Sequence, residues 1–308
     1  MAFNSVLNLS DLDGSNGFVI NGIDASDVSG RSVSGAGDLN GDGIDDLIIG
    51  AFAADPNGSG SGESYVVFGS KNAFNASLDL ASLNGSNGFV INGIDAGDRS
   101  GISVSGAGDL NGDGIDDLII GADGANPNGS NSGESYVVFG GSDVGNSGSL
   151  ELSSLNGSNG FVLNGIDAYD RSGRSVSGAG DLNGDGIDDL IIGADGANPN
   201  GSGSGESYVV FGSKNAFNAS LDLASLDGSN GFVLNGIDAS DFSGISVSGA
   251  GDLNGDGIDD LIIGAYLADP NGSYSGESYV VFGGSAVGNS GSLELSSLNG
   301  SNGFVLNG

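Results

Sequence analysis

The sequence predicts an all-β protein, a β-propeller with four blades of four strands each around a shared axis. The chain repeats itself four times, with 71 or 72 residues between equivalent positions. Each repeat holds four short runs rich in β-branched and aromatic residues and bounded by Gly, Asn or Asp, which predicts strands. No stretch keeps an apolar face at helical spacing long enough for a helix. A single blade cannot bury both of its faces, so neighbouring blades are expected to stack.

The residues within one repeat indicate where each strand lies. The run 17–23 is predicted to be the outer strand, and the small side chains of Ser32–Gly37 suit the strand nearest the axis, where blades converge. The next run, Asp46–Ala51, is apolar on both faces, as expected for a strand between neighbouring blades. The larger residues of 63–69 are predicted to fill the wider outer part of the blade.

The repeat units cover approximately residues 17–87, 88–159, 160–230 and 231–302, and since no flexible linker separates them, residues 1–308 are predicted to form a single domain. Alternate linkers match: 70–74 resembles 213–217, and 141–147 resembles 284–290. This alternation indicates that a block of two blades was duplicated.

The outer-strand run Gly-Phe-Val occurs five times, against four copies of the other strands, which leaves a surplus outer strand at one end. Residues 1–22 and residues 303–308 therefore compete to complete the last blade. Either the four blades are a piece of a larger ring or filament, or one end is donated to another molecule.

The loop between the inner strand and the next strand is the same in every repeat: Asp-Leu-Asn-Gly-Asp-Gly-Ile-Asp-Asp. Side-chain oxygens stand at positions 1, 3, 5 and 9, and the glycine at position 6 allows a sharp turn. Calcium takes six to eight oxygen ligands, and three carboxylates brought together without a cation repel one another. We therefore predict four calcium sites, with the side chains at positions 1, 3, 5 and 9 and the carbonyl at position 7 as ligands. The predicted ligands are Asp38, Asn40, Asp42, Ile44 and Asp46; Asp109, Asn111, Asp113, Ile115 and Asp117; Asp181, Asn183, Asp185, Ile187 and Asp189; and Asp252, Asn254, Asp256, Ile258 and Asp260.

Two other interpretations of this loop are weaker. An EF-hand requires a bidentate Glu at position 12 and flanking helices, but position 12 of the first loop is Ile49 and a strand run surrounds it. An ordinary turn also favours Asp, Asn and Gly, but that does not explain four copies in register. Asp45, at position 8, is predicted to face solvent.

Composition excludes several classes of function. The formal charge is −34, from 40 acidic and six basic residues, which excludes nucleic acid as a partner and argues against adsorption to anionic membranes. Without His or Cys the chain lacks the commonest general base and every thiolate site, so no enzymatic role is predicted. The first residues do not have the basic region and apolar run expected of a signal peptide, and no run of membrane-spanning length is recognised. An acidic, cysteine-free protein that needs calcium fits the extracellular space or the cell surface.

Three further groups of residues are candidates for a functional or structural role. The pair Asp24/Asp27 and its counterparts could form a second metal site, but a solvated turn with side-chain-to-backbone bonds explains them better. The arginines are expected to form salt bridges with neighbouring aspartates. Aromatic residues that differ between repeats are candidates for a patch that contacts sugar or protein: Phe52, Tyr169, Tyr266 and Tyr274.

The run Gly-x-Ser-Val followed by Gly-Asp-Leu-Asn-Gly-Asp-Gly-x-x-Asp-Leu-Ile-Ile-Gly-Ala resembles the FG-GAP repeat of integrin α-subunit propellers and their bacterial relatives. The likeness covers essentially the whole chain. Two departures lie outside the metal loop: Ser29-Gly30 stands where the family has Phe-Gly, and Ala51-Phe52 stands where it has Gly-Ala-Pro. The resemblance implies a propeller, usually of seven blades, with calcium bound in loops on one face.

These observations lead to three hypotheses for function. The first is an extracellular, calcium-binding, non-catalytic module for cell adhesion or for surface or matrix structure, with a protein or glycan ligand at its surface. The second is a lectin-like carbohydrate binder. The third is a self-assembling subunit that forms a homo-oligomer by exchange of the surplus outer strand.

Overall fold

The structure is a computed structural model that describes residues 8–308, and it is all-β apart from five single-turn 3₁₀ helices. As predicted, it contains four propeller blades. Blade 1 consists of β2 (Ser32–Gly37), β3 (Asp46–Ala51), β4 (Glu63–Val67) and β6 (Gly88–Asn92). Blade 2 consists of β7 (Ser103–Gly108), β8 (Asp117–Ala122), β9 (Glu134–Val138) and β11 (Gly160–Asn164). Blade 3 consists of β12 (Ser175–Gly180), β13 (Asp189–Ala194), β14 (Glu206–Val210) and β16 (Gly231–Asn235). Blade 4 consists of β17 (Ser246–Gly251), β18 (Asp260–Ala265), β19 (Glu277–Val281) and β21 (Gly303–Asn307).

Five short strands lie outside this four-strand pattern: β1 (Val19–Asn21), β5 (Ser77–Asp79), β10 (Ser149–Glu151), β15 (Ser220–Asp222) and β20 (Ser292–Glu294). Each of the last four is followed at once by a 3₁₀ helix; the five such helices are Leu9–Asp11, Leu80–Ser82, Leu152–Ser154, Leu223–Ser225 and Leu295–Ser297. The strands β10, β15 and β20 pair in parallel with the outer strand of the preceding blade. Blades 1 to 3 therefore have five strands rather than the predicted four, because a three-residue run such as Ser-Leu-Asp is too short to be recognised from its pattern.

Each blade takes its outer strand from the start of the next repeat unit, so the sheets run across the unit boundaries. For example, β6 opens the unit 88–159 but pairs with β4 of blade 1. The competition between the chain ends has a clear outcome among the described residues. The last Gly-Phe-Val run forms β21 and completes blade 4 against β19, whereas the first forms β1, which pairs with β5. Residues 1–7 of the competing segment 1–22 lie outside the described residues.

The core lies between the blades. Ile48 and Val66 of blade 1 pack with Leu118, Ile120 and Tyr136 of blade 2, and all five are fully buried. Equivalent clusters join blade 2 to blade 3 and blade 3 to blade 4. In blades 2 and 3 the strands apolar on both faces, β8 and β13, are thus sandwiched between neighbouring blades, as predicted, whereas β3 and β18 have a neighbouring blade on one side only.

The inner strands of successive blades lie side by side, as their small side chains predicted. A Cβ added to Gly106 in β7 would stand 2.9 Å from the carbonyl oxygen of Gly35 in β2. The backbone N–H of Val104 also donates to Ser32 Oγ across this junction, at 3.0 Å. Only small residues allow this approach. In residues 8–308 no helix is long and apolar enough to cross a membrane.

Candidate metal centres

Each candidate metal loop joins the inner strand of a blade to the strand beside it. The inner strand has a register shift between Gly35 and Gly37 in blade 1, which turns the chain into the loop. Gly37 and Gly43 both have positive φ, at 65° and 84°, a conformation that L side chains rarely adopt. These glycines therefore allow the sharp curvature of the loop.

The side chains at positions 1 and 3 accept hydrogen bonds from the backbone of their own loop. Asp38 Oδ1 accepts from Asp42 N–H at 2.9 Å, and its Oδ2 accepts from Gly43 N–H at 2.8 Å. Asn40 Oδ1 accepts from the same Asp42 N–H at 2.9 Å. The other three loops repeat these bonds. These bonds hold the side chains at positions 1 and 3 against the backbone of positions 5 and 6.

The aspartate at position 9 is buried and holds two separate segments of backbone. Asp189 Oδ2 accepts from Leu182 N–H at 3.0 Å, and Oδ1 accepts from Gly212 N–H at 2.9 Å. Burial raises the pKa of Asp189 to about 7, although the backbone N–H groups oppose that shift. Burial likewise raises the pKa of Asp46 to about 6 and that of Asp117 to about 8. Position 9 therefore has a structural role that the sequence analysis did not assign to it.

The aspartate at position 8 connects neighbouring blades. Asp45 is exposed, as predicted, but Asp116 of blade 2 accepts a hydrogen bond from the backbone N–H of Asp38 in blade 1 at 2.8 Å. Asp188 and Asp259 make the same bond to the loop before theirs. A Cβ at Gly37 would overlap the Asp116 carboxylate. This bond could not be predicted from the sequence, because nothing within one repeat shows which loop lies beside it.

In all four repeats the predicted ligands at positions 1, 3 and 5 are exposed or half-exposed, whereas the aspartate at position 9, which begins the next strand, is buried. Among residues 8–308, no three acidic, His or Cys side chains lie close enough together to hold a metal ion. The donor set itself is all oxygen, which is what a hard cation such as calcium takes. The residue types therefore fit calcium, and the ligand assignment remains a prediction.

The second acidic pair forms a turn in the interior blades, as expected. Asp98 Oδ2 accepts from Asp95 N–H at 3.1 Å, and Asp170 Oδ2 accepts from Asp167 N–H at 3.2 Å. Asp98 and Asp170 are buried, however, rather than solvated. Burial raises the pKa of Asp170 to about 6.

Most of the arginines form the expected salt bridges. Asp123 is fully buried and pairs with Arg99 of its own blade and Arg174 of the next, both at 3.1 Å. Arg171 pairs with Asp195 at 3.0 Å. In blade 1 an aromatic residue replaces the aspartate, and the Arg31 guanidinium lies 5.4 Å from the centre of the Phe52 ring.

Comparison with known protein families matches the FG-GAP repeat at residues 29–67, 100–138, 172–210 and 243–281. Each match spans the inner three strands of one blade and the metal loop between them. The chain belongs to the FG-GAP repeat family. It is 31% identical over 263 residues to integrin alpha-5 of Xenopus laevis, which covers 82% of this chain and 21% of that protein. It is 32% identical over 247 residues to integrin alpha pat-2 of Caenorhabditis elegans, which covers 78% of this chain and 18% of that protein. This FG-GAP chain thus spans about a fifth of the length of the relatives it matches.

We predict that Asp189→Ala destabilises the FG-GAP chain by about 3 kcal/mol or more, because it leaves two buried backbone N–H groups without an acceptor. Asp189→Asn keeps one acceptor oxygen and should cost about half as much. Urea unfolding in the presence of a chelator measures both effects without a contribution from metal. The control Asp45→Ala removes an exposed carboxylate and should change stability by less than about 0.5 kcal/mol. Equal losses for Asp189→Ala and Asp45→Ala would contradict the structural role of position 9.

We also predict that Asp170→Asn stabilises the chain at pH 7 but not at pH 4. The folded-state pKa of Asp170 is raised to about 6, so the folded chain holds this proton more tightly than the unfolded chain does. The wild type therefore loses stability as pH rises from about 4 to about 6, whereas Asn cannot ionise and still accepts the turn hydrogen bond. The raised pKa sets an upper limit of about 3 kcal/mol on the expected gain. Thermal unfolding at pH 4, 5, 6 and 7 measures the difference, and a constant difference across this range would contradict the prediction.

Proposed function

We propose that this chain is an extracellular or cell-surface FG-GAP module whose four propeller blades are stabilised by calcium and which serves in adhesion rather than catalysis. The observation that carries the proposal is the set of four loops with oxygen side chains in register, one in each blade. The relatives support the adhesion part, since the matched proteins are named as integrin alpha chains. The activity of those whole proteins is extended here to a chain that spans a fifth of their length.

The charge of the loops supports a bound cation. The chain carries −34 formal charges, and four calcium ions would reduce this to about −26. Each loop places two exposed or half-exposed aspartates at positions 1 and 5, a few residues from the buried aspartate at position 9. A cation bound by these oxygens offsets their mutual repulsion and supplies the positive charge that the chain lacks.

The arrangement of the remaining carboxylates supports a non-catalytic role. The glutamate that begins the third strand of each blade accepts a hydrogen bond from a tyrosine two residues later, as Glu134 does from Tyr136 at 2.6 Å. All four glutamates make this same bond within their own strand, whereas glycoside hydrolysis requires two carboxyl groups held at different pKa values.

A carbohydrate ligand is the second candidate, because three tyrosines on loops are largely exposed: Tyr169, Tyr266 and Tyr274. Exposed tyrosine rings offer flat apolar surface with a polar hydroxyl, which suits contact with sugar or with protein. Binding of the calcium-loaded chain to a glycan array would favour the lectin function, and a blank array would favour a protein ligand.

The calcium proposal predicts that the melting temperature rises in millimolar calcium and falls in chelator. Extracellular calcium modules bind with Kd of about 10⁻⁴ to 10⁻³ M, and calcium at ten times Kd stabilises the folded state by about 1.4 kcal/mol for each site. Differential scanning calorimetry measures this shift, and equilibrium dialysis with ⁴⁵Ca measures the number of sites.

Two neighbouring aspartates of the first loop provide a matched pair. Asp42→Ala removes a predicted ligand and should reduce the number of bound ions from four to three. Asp45→Ala removes an exposed aspartate that is not a predicted ligand, and should leave four. A melting temperature that calcium does not change, or the same stoichiometry in both variants, would refute the proposal.

A further inference from the structure

Blades 1 and 4 each present one sheet face that is exposed although the equivalent face is buried everywhere else in the chain. Val33 in β2 is 64% exposed, whereas its counterpart Val104 in β7 is 4% exposed. Leu253 in the last loop is 55% exposed, whereas its counterpart Leu39 is fully buried. The two exposed faces are thus the two halves of the junction that the chain forms three times internally.

The polar groups on these two faces are also complementary, as they are at the internal junctions. At internal junctions a valine N–H donates to the inner-strand serine of the preceding blade, and the aspartate at position 8 accepts from the preceding metal loop. On blade 1 the corresponding groups are Val33 N–H and the Asp45 carboxylate, and on blade 4 they are Ser246 Oγ and Asp252 N–H. All four residues are exposed, and residues 8–308 supply none of them with the junction partner of its counterparts.

The strand β1 shows where a further blade would sit. It pairs in parallel with β5 along one edge, as the outer strand β11 of blade 2 pairs with β15. The other edge of β11 pairs antiparallel with β9, but within residues 8–308 the other edge of β1 pairs with nothing. The position of β1 is therefore that of the outer strand of a blade packed against the exposed face of blade 1.

The alternating linkers indicate which internal junction a contact between blade 4 and blade 1 would resemble. By its linker, blade 4 matches blade 2 and blade 1 matches blade 3. The junction of blade 2 with blade 3 contains three phenylalanine rings: Phe161 stacks on Phe217 at 4.6 Å, and Phe139 lies 5.9 and 5.5 Å from them.

Blade 1 already holds two of the three rings of such a junction. Phe18 stacks on Phe74 at 4.4 Å, with an interplanar angle of 12°. The counterpart of the third ring is Phe282 of blade 4, which within its own chain contacts Phe304 of β21 at 5.8 Å. Blade 4 of another copy would complete this cluster.

We propose that a second copy of this chain docks its blade 4 against blade 1, with β1 as the outer strand of the docked blade in place of that copy's own β21. Only one outer strand fits beside β19, and β1 and β21 share the pattern Gly-Phe-Val-(Ile or Leu)-Asn, so the exchange preserves the hydrogen bonds to β19. The contact joins different surfaces of the two copies. Each docked copy therefore still has one free face to which a further copy can add. The assembly closes into a ring or extends into a filament.

One residue pair of the proposed contact differs from its counterpart at the internal junction, but the replacement is also favourable. Arg174 reaches back to Asp123 of the preceding blade, and the corresponding residues are Arg31 and, on the docked blade, Tyr266. Arginine over a tyrosine ring is favourable, and Tyr266 is 55% exposed within one chain.

The first test uses one charged residue on each face. Val33→Glu and Leu253→Glu replace residues that are exposed in one chain, so each variant should fold. Each variant alone should be monomeric by sedimentation velocity, whereas the wild type should associate as its concentration rises. A one-to-one mixture should form a dimer of the two variants and nothing larger, because one intact face remains on each. Tyr169→Ser changes an exposed residue away from both faces and should associate as the wild type does.

The outcomes separate head-to-tail docking from the alternatives. A wild type that stays monomeric at every concentration overturns the proposal. So does either variant that associates like the wild type, or a mixture that contains no heterodimer. A contact between two identical faces would leave one of the two variants dimeric, which also overturns it.

The second test detects the exchanged strand. Ser278 in β19 lies opposite Leu306 in β21, and Ile20 of β1 is the counterpart of Leu306. Because the chain has no cysteine, Ile20→Cys in one chain and Ser278→Cys in another should form an intermolecular disulfide when an oxidant is added to the mixture. The positive control is Ser278→Cys with Leu306→Cys in one chain, which should crosslink internally. Association without the intermolecular crosslink would overturn the strand exchange.

Discussion

The contact on which this structure depends is the packing of one blade's sheet against the next. A blade has two apolar faces, and in residues 8–308 no α-helix covers either of them, so its middle strands become fully buried only when a blade lies on each side. Leu118, Ile119 and Ile120 in blade 2 are all fully buried. In blade 1, which has a neighbour on one side only, Leu47, the counterpart of Leu118, is 39% exposed. Stability in such an array is close to a sum over blades and over the junctions between them.

The polar groups at the junctions explain how so acidic a chain can fold. With six basic residues against 40 acidic ones, few aspartates can be neutralised by ion pairs. The structure instead places many aspartates against backbone N–H groups, as with Asp116 across a junction and Asp189 beneath its loop. Burial still raises the pKa of Asp117 and Asp189, so the backbone N–H groups alone do not fully offset the cost of burying these two carboxylates.

Much of this arrangement could be predicted from the sequence, because it is repeated. Four copies of the same strand pattern gave the number of blades and the position of each inner strand, and four copies of the loop gave the candidate metal residues. The parallel strands such as β10 were not predictable, since three residues carry no recognisable period. The role of Asp116 was also missed, because it depends on which loops become neighbours in three dimensions.

The two outer-strand segments at residues 17–21 and 303–307 are a second case in which the sequence alone could not predict the pairing. Both carry the same pattern, so the sequence could not decide which completes blade 4. The structure assigns that place to β21, which pairs with β19 over five residues. The position of β1 beside β5 became interpretable only once the pairing of the equivalent outer strands was known.

Native-state hydrogen exchange of the monomeric chain tests most directly whether the junctions between blades provide the stability. Amides of β8 and β13, whose blades have a neighbour on each side, should exchange more slowly than the equivalent amides of β3 and β18, whose blades have only one. Equal protection of all four strands, or slower exchange in β3 and β18, would contradict this account.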